Sequence, residues 1–155
     1  MAPIRSSIDI ARPAKDVFEY SADPTHRGEW QDSVRDPEIT TSGPVGMGTR
    51  VREIRSVTGG DRTIEWEYAR FEAPNAWGFK GINGGVRPVG LMTFTELPGA
   101  KSTRVDMEID FEGSGVGRLL VPLARRDARK QMPADLSSLK RRLERATNIG
   151  NPQPL

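Results

Sequence analysis

The chain has 155 residues, a formal net charge of +2, 35% hydrophobic residues and no cysteine. This length suits one domain that buries roughly two-thirds of the surface of its unfolded chain, and the lack of cysteine excludes disulfides, thiol catalysis and zinc–thiolate sites. With His26 as the single histidine and no apolar run near the ~20 residues of a spanning helix, we expect no metal, no cofactor and no stable membrane insertion. The lack of a signal-peptide pattern favours a cytoplasmic location.

The first thirty residues predict one strand and two short helices. The isoleucines of "IRSSIDIA" alternate with other residues, which is typical of a strand. In "RPAKDVFEYSAD", Pro13 suits the first position of a helix that carries Val17 and Phe18. Asp23 and Pro24 end this helix, and Asp23 can cap a second short helix within "ADPTHRGEW".

Residues 35–113 predict about six further strands joined by turns. The clearest is "TRVDMEIDFE", in which apolar and charged residues alternate, as in an antiparallel sheet with one face in water and the other covered. We interpret the acidic residues of this strand as surface residues and not as catalytic acids or metal ligands. They are Asp106, Glu108, Asp110 and Glu112.

The C-terminal third predicts the helix that covers the sheet. Apolar residues recur at helical spacing over 116–147, with Pro122 in or near the first turn and a kink expected at Pro133. Residues 118–145 include nine basic and three acidic side chains, a net charge of +6. Because no nucleic-acid-binding motif accompanies this charge, it predicts a solvated helix face and no nucleic-acid partner.

These elements predict an α+β fold in which a curved antiparallel sheet of about seven strands wraps around one long C-terminal helix. We expect a single domain over residues 1–147 and a disordered tail at 148–155. A curved sheet cannot contact a long helix along its whole length. A hollow lined by the apolar face of the sheet is therefore expected between them.

Four segments resemble a known family: "IDIARPAKDVFEYSADPTHRGEW", "GMGTRVREIR", "FEAPNAWGFKG" and "RKQMPADLSSLKRRLE". Over residues 4–145 the chain resembles polyketide cyclase/dehydrase-like members of the START and birch-pollen-allergen (SRPBCC) superfamily. The resemblance implies the helix-grip fold. It also implies an apolar ligand in the cavity, since the family includes lipid and steroid carriers, ubiquinone-binding proteins and aromatase/cyclases.

The expected cavity wall is made of aromatic, methionine and helix residues. Its predicted members are Trp30, Trp66, Tyr68, Trp77, Phe79, Met92, Phe94, Met107, Leu120, Ala124 and Met132. Trp30 has two equal interpretations, packing in the core or covering the cavity. Tyr68 is a candidate for orienting a polar group of a ligand, because a buried hydroxyl needs a hydrogen-bond partner.

The strand "TRVREIRSV" can face inward in two registers. One directs Glu53 and Arg55 toward the cavity, and the other directs Arg50, Arg52 and Ile54 there. Either register places charge on a mostly apolar face. We favour the first, with the pair of opposite charges at the cavity mouth.

Two further segments are expected at the rim of the cavity. "GINGGVRPVG" lacks the strand–GxGxxG–helix context of a nucleotide site, so we predict a mobile loop or bulge with Asn83 and Arg87 as polar contacts. "GRLLVPLA" is apolar almost all round, and some of Leu119, Leu120 and Leu123 must be covered by other parts of the protein or by a partner. A cavity gate is the main interpretation, and an interface with another subunit or a membrane surface is the alternative.

His26 is the obvious candidate for acid–base catalysis, but a catalytic base needs a positioned partner and access to substrate. Its neighbours Thr25, Arg27 and Glu29 are expected on a short helix at the surface. We therefore predict a structural or solvent-exposed role for His26.

Two functional hypotheses follow, for a monomer or a homodimer. The first is a carrier or sensor that binds a hydrophobic small molecule: a lipid, a polyketide or another aromatic or isoprenoid-like ligand. The alternative is a cofactor-independent cyclase, aromatase or dehydratase in which Tyr68, Arg55 or Glu53 handles protons. A binder predicts an apolar inner wall, whereas an enzyme predicts at least two polar side chains that converge there with perturbed pKa values. An interaction protein that uses the basic helix face is a third, less favoured hypothesis.

Overall fold

The computed structural model describes residues 2–150, and the side chains of residues 2–145. A strand and a helical segment precede six consecutive strands and a long helix. The strands are β1 (Ile4–Ile10), β2 (Val34–Ile39), β3 (Arg50–Val57), β4 (Gly60–Glu72), β5 (Ala76–Gly81), β6 (Val86–Glu96) and β7 (Thr103–Gly113). The helices are α1 (Ala14–Ala22), α2 (Arg27–Trp30) and α3 (Val121–Gly150), and 3-10 helices span Pro24–His26 and Gly115–Leu119.

The seven strands form one antiparallel sheet in the order β1-β7-β6-β5-β4-β3-β2. From β2 to β7 each strand pairs with the next one in sequence, and β1 pairs with β7. The helix α3 packs against β1, β7 and α2, which places it within the curve of the sheet. The predicted α+β helix-grip fold is confirmed, including the short helices after the first strand.

The alternation along β7 separates the two faces of the sheet as predicted. Val105, Met107 and Ile109 are at most 7% exposed and belong to the core. The acidic side chains between them pair on the other face with β1: Asp106 accepts a hydrogen bond from Ser7, and Glu108 forms a 2.8 Å ion pair with Arg5.

The joint between α1 and α2 has the predicted cap. The Asp23 carboxylate accepts a hydrogen bond from the backbone N–H of Thr25 at 2.9 Å, at the start of the 3-10 helix. Pro13 lies immediately before α1, where its missing N–H costs no hydrogen bond. This joint carries the chain from β1 over one end of the sheet to its far edge at β2.

The segment before α3 differs from the prediction. The sequence pattern predicts a helix from Val116, but residues 115–119 form a 3-10 helix and α3 begins at Val121. Gly117 approaches Gly85 of the β5–β6 loop so closely that a Cβ atom on Gly117 would collide with the Gly85 carbonyl. The two glycine-rich segments therefore meet backbone to backbone.

The long helix contains both predicted prolines, Pro122 in its first turn and Pro133 in its interior. Its described part extends to Gly150 and so includes residues 148–150 of the expected tail, whereas residues 151–155 lie outside the described part of the chain. Within residues 2–150, no helix has the combination of length and apolar character that spanning a membrane requires.

Candidate functional site

A cavity of about 580 Å³ lies between the inner face of the sheet and α3. Its apolar wall includes side chains from four strands, from α3 and from the segment that precedes α3. These are Ile64, Trp66, Trp77, Phe79, Val86, Pro88, Met107, Ile109, Phe111, Val116, Leu120, Leu123, Ala124, Ala128 and Met132. This volume lies within the range of about 300–1,000 Å³ that is typical of small-molecule sites.

The structure brings most of the predicted wall residues together around this cavity. Trp66, Trp77 and Phe79 line it from the sheet with Met107, while Leu120, Ala124 and Met132 line it from the helix side. The side chain of Phe79 lies over Gly90 on β6, and a Cβ atom on Gly90 would collide with the ring. The missing side chain on β6 thus gives Phe79 its place in the wall.

Four predicted wall residues lie elsewhere: Trp30, Tyr68, Met92 and Phe94 are at most 4% exposed but do not line the cavity. For the three residues of the sheet the reason is α1, which covers this end of it. Phe18 of α1 packs edge-on against Phe94 with ring centroids 5.7 Å apart. For Trp30 this corresponds to the core-packing interpretation.

The hydroxyl of Tyr68 points at the backbone and not at a ligand. It donates a 2.5 Å hydrogen bond to the carbonyl of Ala22 at the end of α1. Burial raises the pKa of this hydroxyl, so it remains a protonated donor. Tyr68 therefore fastens α1 to the sheet, and this contact leaves no role for it in orienting a ligand within the cavity.

At the end of the cavity next to Tyr68, Glu53 organises a buried polar cluster. Its carboxylate accepts hydrogen bonds from Arg27 Nε and from Trp66 Nε1, both at 2.7 Å. Glu53 is 1% exposed and Arg27 is 2% exposed. The Arg27 guanidinium also lies over the Trp66 ring, 4.7 Å from its centroid, so the pair is held by charge, hydrogen bonds and stacking together.

Arg55 and Gln31 complete this cluster, which we call the polar end of the cavity: Arg27, Gln31, Glu53, Arg55 and Asp135. Arg55 Nη2 donates to Gln31 Oε1 at 2.8 Å and lies 3.3 Å from Glu53 Oε2. Burial by itself raises the pKa of Glu53, but the guanidiniums of Arg27 and Arg55 outweigh this effect and lower it to about 2. Glu53 is therefore an anion that positions two arginines.

Asp135 approaches the polar end from α3. It is 7% exposed and lines the cavity, and within residues 2–145 no side chain or backbone group donates a hydrogen bond to it. Burial raises its pKa to about 7, against the opposing effect of Arg55 and Arg27. A carboxyl group that titrates near neutral pH can give or take a proton inside the cavity.

The orientation of β3 answers the question left open by its sequence. Val51 and Glu53 are both 1% exposed, and Glu53, Arg55 and Val57 line the cavity. The alternative register, with Arg50 and Arg52 inward, does not occur: these arginines form outward ion pairs with Glu67 and Glu65 of β4. The charged pair lies deeper than the predicted position at the mouth.

The two predicted polar contacts of the rim are tied to the backbone. Asn83 lines the cavity, but its side chain accepts from the Glu65 N–H at 2.8 Å and donates to the Thr63 carbonyl at 3.1 Å. Arg87 lies outside the cavity wall and donates to the Gly84 carbonyl at 3.1 Å. Both side chains shape the β5–β6 loop.

His26 lies outside the cavity. Its ring stacks on Tyr20 with centroids 4.5 Å apart, and Nδ1 is 3.2 Å from the Tyr20 carbonyl. The neighbouring Arg27, expected at the surface, is instead buried in the polar end. This expectation was wrong because α2 turns its Arg27 side toward β3, where Glu53 supplies the counter-charge.

Three functional side chains escaped sequence reasoning: Arg27, Gln31 and Asp135. Arg27 and Gln31 are four residues apart, which places them on the same side of a helical turn. Asp135 follows Met132 by three residues on the inward stripe of α3, next to Leu136. A charged residue inside an apolar helical stripe was the available signal. Within the described residues, no group of three or more histidine and acidic side chains could hold a metal ion.

A sheet that grips a helix around an apolar cavity with a polar end defines a helix-grip protein. The sequence model of the family described as polyketide cyclase / dehydrase and lipid transport matches residues 1–144. The chain therefore belongs to this family. A comparison with curated protein sequences gave no match.

Solved structures share the fold at low sequence identity. The aromatase/cyclase Zhui from Streptomyces sp. R1128 superposes with a TM-score of 0.81 and 17% identity, covering 96% of this chain and 97% of Zhui. The protein TTHA0849 from Thermus thermophilus superposes with a TM-score of 0.76 and 22% identity, covering 94% of this chain and 99% of TTHA0849. A START superfamily protein from Mycobacterium smegmatis superposes with a TM-score of 0.71 and 14% identity, covering 95% of this chain and 100% of that protein.

Proposed function

We propose that the protein binds an apolar, ring-containing small molecule that carries an acidic or carbonyl oxygen, and that it acts as a carrier or sensor of this molecule. The main support for the proposal is a single cavity that is apolar along its wall and polar at one end. Its wall is aromatic and aliphatic around Trp66, Phe79 and Met107, whereas Arg55 and Asp135 supply polar groups at one end.

The apolar wall accounts for affinity. Flat aromatic side chains and methionines offer contact area for rings and alkyl chains, and burial of apolar surface contributes about 25 cal/mol per Å². The cavity volume of about 580 Å³ suits one ligand of small-molecule size.

The polar end accounts for orientation. Glu53 neutralises one of the two arginines, so the polar end keeps one excess positive charge when Asp135 is protonated. Arg55 is partly exposed, 23% at its side chain, and only its Nη2 is engaged by Gln31 and Glu53. Its remaining N–H groups are available to a carboxylate, phenolate or ketone oxygen of a ligand.

Native mass spectrometry of the purified protein tests binding directly, because a retained ligand adds a discrete mass. Fluorescence titration with 2-naphthoic acid, 2-naphthalenemethanol and 2-methylnaphthalene then tests orientation. We expect the acid to bind about tenfold or more tightly than the hydrocarbon, since hydrogen bonds to charged groups contribute about 1.5–3 kcal/mol.

Matched variants connect binding to the cavity. Ala128→Phe places a ring in the cavity and should abolish naphthoic acid binding, whereas Ala134→Phe makes the same change on the exposed side of α3 and should not. Arg55→Gln should remove the preference for the acid, and Arg52→Gln on the outward face of β3 should keep it. Equal binding by the Ala128→Phe variant would refute the cavity as the site.

A second candidate, a dehydratase or cyclase that uses the same cavity, is favoured by one specific observation: two polar side chains with shifted pKa values converge there. Glu53 has its pKa lowered to about 2, and Asp135, with a pKa of about 7, faces the cavity beside Arg55. For a β-hydroxy ketone, ionised Asp135 would take the α-proton while Arg55 stabilises the enolate oxygen. The same carboxyl would then return the proton to the departing hydroxyl, so that water leaves and an enone remains. Asp135 therefore both accepts and returns the proton, and the reaction needs no second acid or base.

The second candidate is tested with 4-hydroxy-4-phenylbutan-2-one, whose dehydration product absorbs in the near ultraviolet. An enzyme should form the enone at a rate that rises with pH through about 7 and that falls about 100-fold or more in Asp135→Asn. A carrier should bind this compound without converting it. Binding and turnover are thus separate results, and each hypothesis can fail without the other.

A further inference from the structure

The mouth of the cavity carries exposed apolar side chains. Val116 is 82% exposed, Leu119 is 81% exposed and Leu120 is 44% exposed. Among the described residues, only two other large hydrophobic side chains are comparably exposed, Met47 and Val89, and neither lines the cavity. Three neighbouring apolar side chains in water at one point of the surface form a patch and not a scatter of single residues.

This patch, which we call the apolar tip (Val116, Leu119 and Leu120), forms part of the entrance. Val116 and Leu120 also line the cavity, as does Gly117 between them. The contact between Gly117 and Gly85 fixes the tip against the β5–β6 loop. The tip is therefore held in place at the entrance, where a ligand would pass it.

Basic side chains continue from the tip along the outer side of α3. Arg118, Arg126, Arg129 and Lys130 are exposed, and none of them forms an ion pair within residues 2–145. On a helix, positions 126, 129 and 130 share one side. The only acidic residue among them, Asp127, is turned away and accepts hydrogen bonds from the backbone N–H and the hydroxyl of Thr58. We call these four basic residues the basic stripe.

We propose that the apolar tip and the basic stripe together dock the protein reversibly on an anionic lipid bilayer, with the cavity mouth against the membrane. Apolar side chains enter the interface between headgroups and acyl chains, while unpaired cations approach anionic headgroups. The charge complementarity selects this partner. A second copy of the chain would bring two basic stripes together, and three side chains offer far less area than the ~800 Å² that each partner of a stable dimer buries.

This proposal goes beyond the proposed function, because docking can be measured without knowledge of the ligand in the cavity. It predicts a route by which an apolar ligand leaves a membrane without crossing water. The tip and the stripe contribute differently: the tip should determine whether the protein enters the interface, and the stripe should determine its preference for anionic lipid and its sensitivity to salt.

Flotation with vesicles tests the proposal. The vesicles are phosphatidylcholine with and without about 30% phosphatidylglycerol, and flotation is measured at ~0.05 M and ~0.5 M NaCl. The protein should float with the anionic vesicles at low salt, bind neutral vesicles at least about tenfold more weakly, and be released at high salt. The variant Val116→Ser/Leu119→Ser should lose vesicle binding, as should Arg126→Glu/Lys130→Glu.

Two control variants make the same changes away from the mouth. Met47→Ser removes an exposed apolar side chain from the loop before β3, and Lys101→Glu reverses an exposed charge in the β6–β7 turn. Both should float as the unchanged protein does. All the substituted side chains are exposed, so circular dichroism should show unchanged folding.

The proposal is overturned if the protein does not float with anionic vesicles, or if the tip variant and the Met47→Ser control float equally. It is also overturned if the basic stripe instead binds a single-stranded oligonucleotide while vesicles are ignored. Self-association that depends on the tip, measured by sedimentation velocity without lipid, would assign the patch to a subunit interface and would equally refute docking.

Discussion

The inner face of the sheet has two regions that look alike in sequence and differ in structure. In the packed region, Tyr68, Met92 and Phe94 lie under α1 in the hydrophobic core, outside the cavity wall. In the open region, Trp66, Phe79 and Met107 face a cavity of about 580 Å³. Both regions consist of inward-facing aromatic and methionine residues, and β4 contributes to both of them through Tyr68 and Trp66.

The difference between the two regions lies in what covers them. In the packed region α1 is fastened to the sheet by two hydrogen bonds, from Tyr68 to the Ala22 carbonyl and from Trp77 Nε1 to Ser21 Oγ at 3.0 Å. In the open region the cover is α3, held away from the sheet, and the polar end fills part of the gap. A pattern of inward residues therefore predicts burial, but the covering element decides between core and cavity.

The largest effect is expected at Glu53. Glu53→Gln leaves Arg27 buried without its counter-charge and should reduce the free energy of unfolding by about 3–5 kcal/mol in urea titrations at pH 7. The control is Glu65→Gln, which breaks an exposed pair with Arg52 and should cost about 0–1 kcal/mol. Similar losses in both variants would mean that the polar end does not hold β3 and α2 together.

Asp135 should make the open region sensitive to pH. Its pKa is raised from 3.8 to about 7, so the native state holds a proton that the unfolded state releases. The free energy of unfolding should therefore fall as pH rises from about 4 to 7, by up to about 4 kcal/mol. Asp135→Asn should flatten this fall and stabilise the protein at pH 8.

Thermal melts between pH 4 and pH 8 measure this dependence. The exposed carboxylate Asp61 at the cavity rim provides the control, Asp61→Asn, which should leave the pH dependence in place. If Asp135→Asn follows the same pH profile as the unchanged protein, Asp135 is ionised in the native state and the acid–base role in the cavity fails with it.

Two matched substitutions of alanine by phenylalanine, one in each region, compare the packing of the two regions directly. Ala22→Phe overfills the packed region and should cost about 1–3 kcal/mol. Ala128→Phe has free space in the cavity and should cost well under 1 kcal/mol by the same argument. Urea unfolding of both variants measures the contrast, and an equal cost would show that the cavity is closed in solution.

The smallest effect is expected at Tyr68. Tyr68→Phe removes the buried hydrogen bond to the Ala22 carbonyl and should cost about 1 kcal/mol, with binding of 2-naphthoic acid unchanged. Tyr20→Phe, which removes an exposed hydrogen bond to Glu29, should cost less. A loss of naphthoic acid binding in Tyr68→Phe would show that Tyr68 contributes to the binding site after all.

Sequence reasoning reached the fold because each of its signals is local. Alternation in "TRVDMEIDFE", the Asp23 cap and the apolar stripe of α3 all arise from neighbouring residues. The cavity wall was located in part, since inward residues could be identified on each element separately. The assignment of Tyr68, Met92 and Phe94 to that wall was wrong because the helix that covers them, α1, is distant in the sequence, and Trp30 follows the core-packing interpretation.

The polar end is a second feature that the sequence predicted only in part. The sequence singled out Glu53 and Arg55 but left the register of β3 open, because either register places charge on the inner face. The choice depends on Arg27, which lies 26 positions from Glu53 and neutralises it at 2.7 Å.

By itself, then, the sequence determined the helix-grip architecture and which apolar residues of the strands and of α3 face inward. Tertiary structure decided which of them form a solid core, which of them form a cavity, and how Arg27, Glu53 and Asp135 meet at one end of it. Hydrophobic periodicity acts within one strand or helix, whereas the pairing of buried charges and the gap between layers depend on elements far apart in the chain.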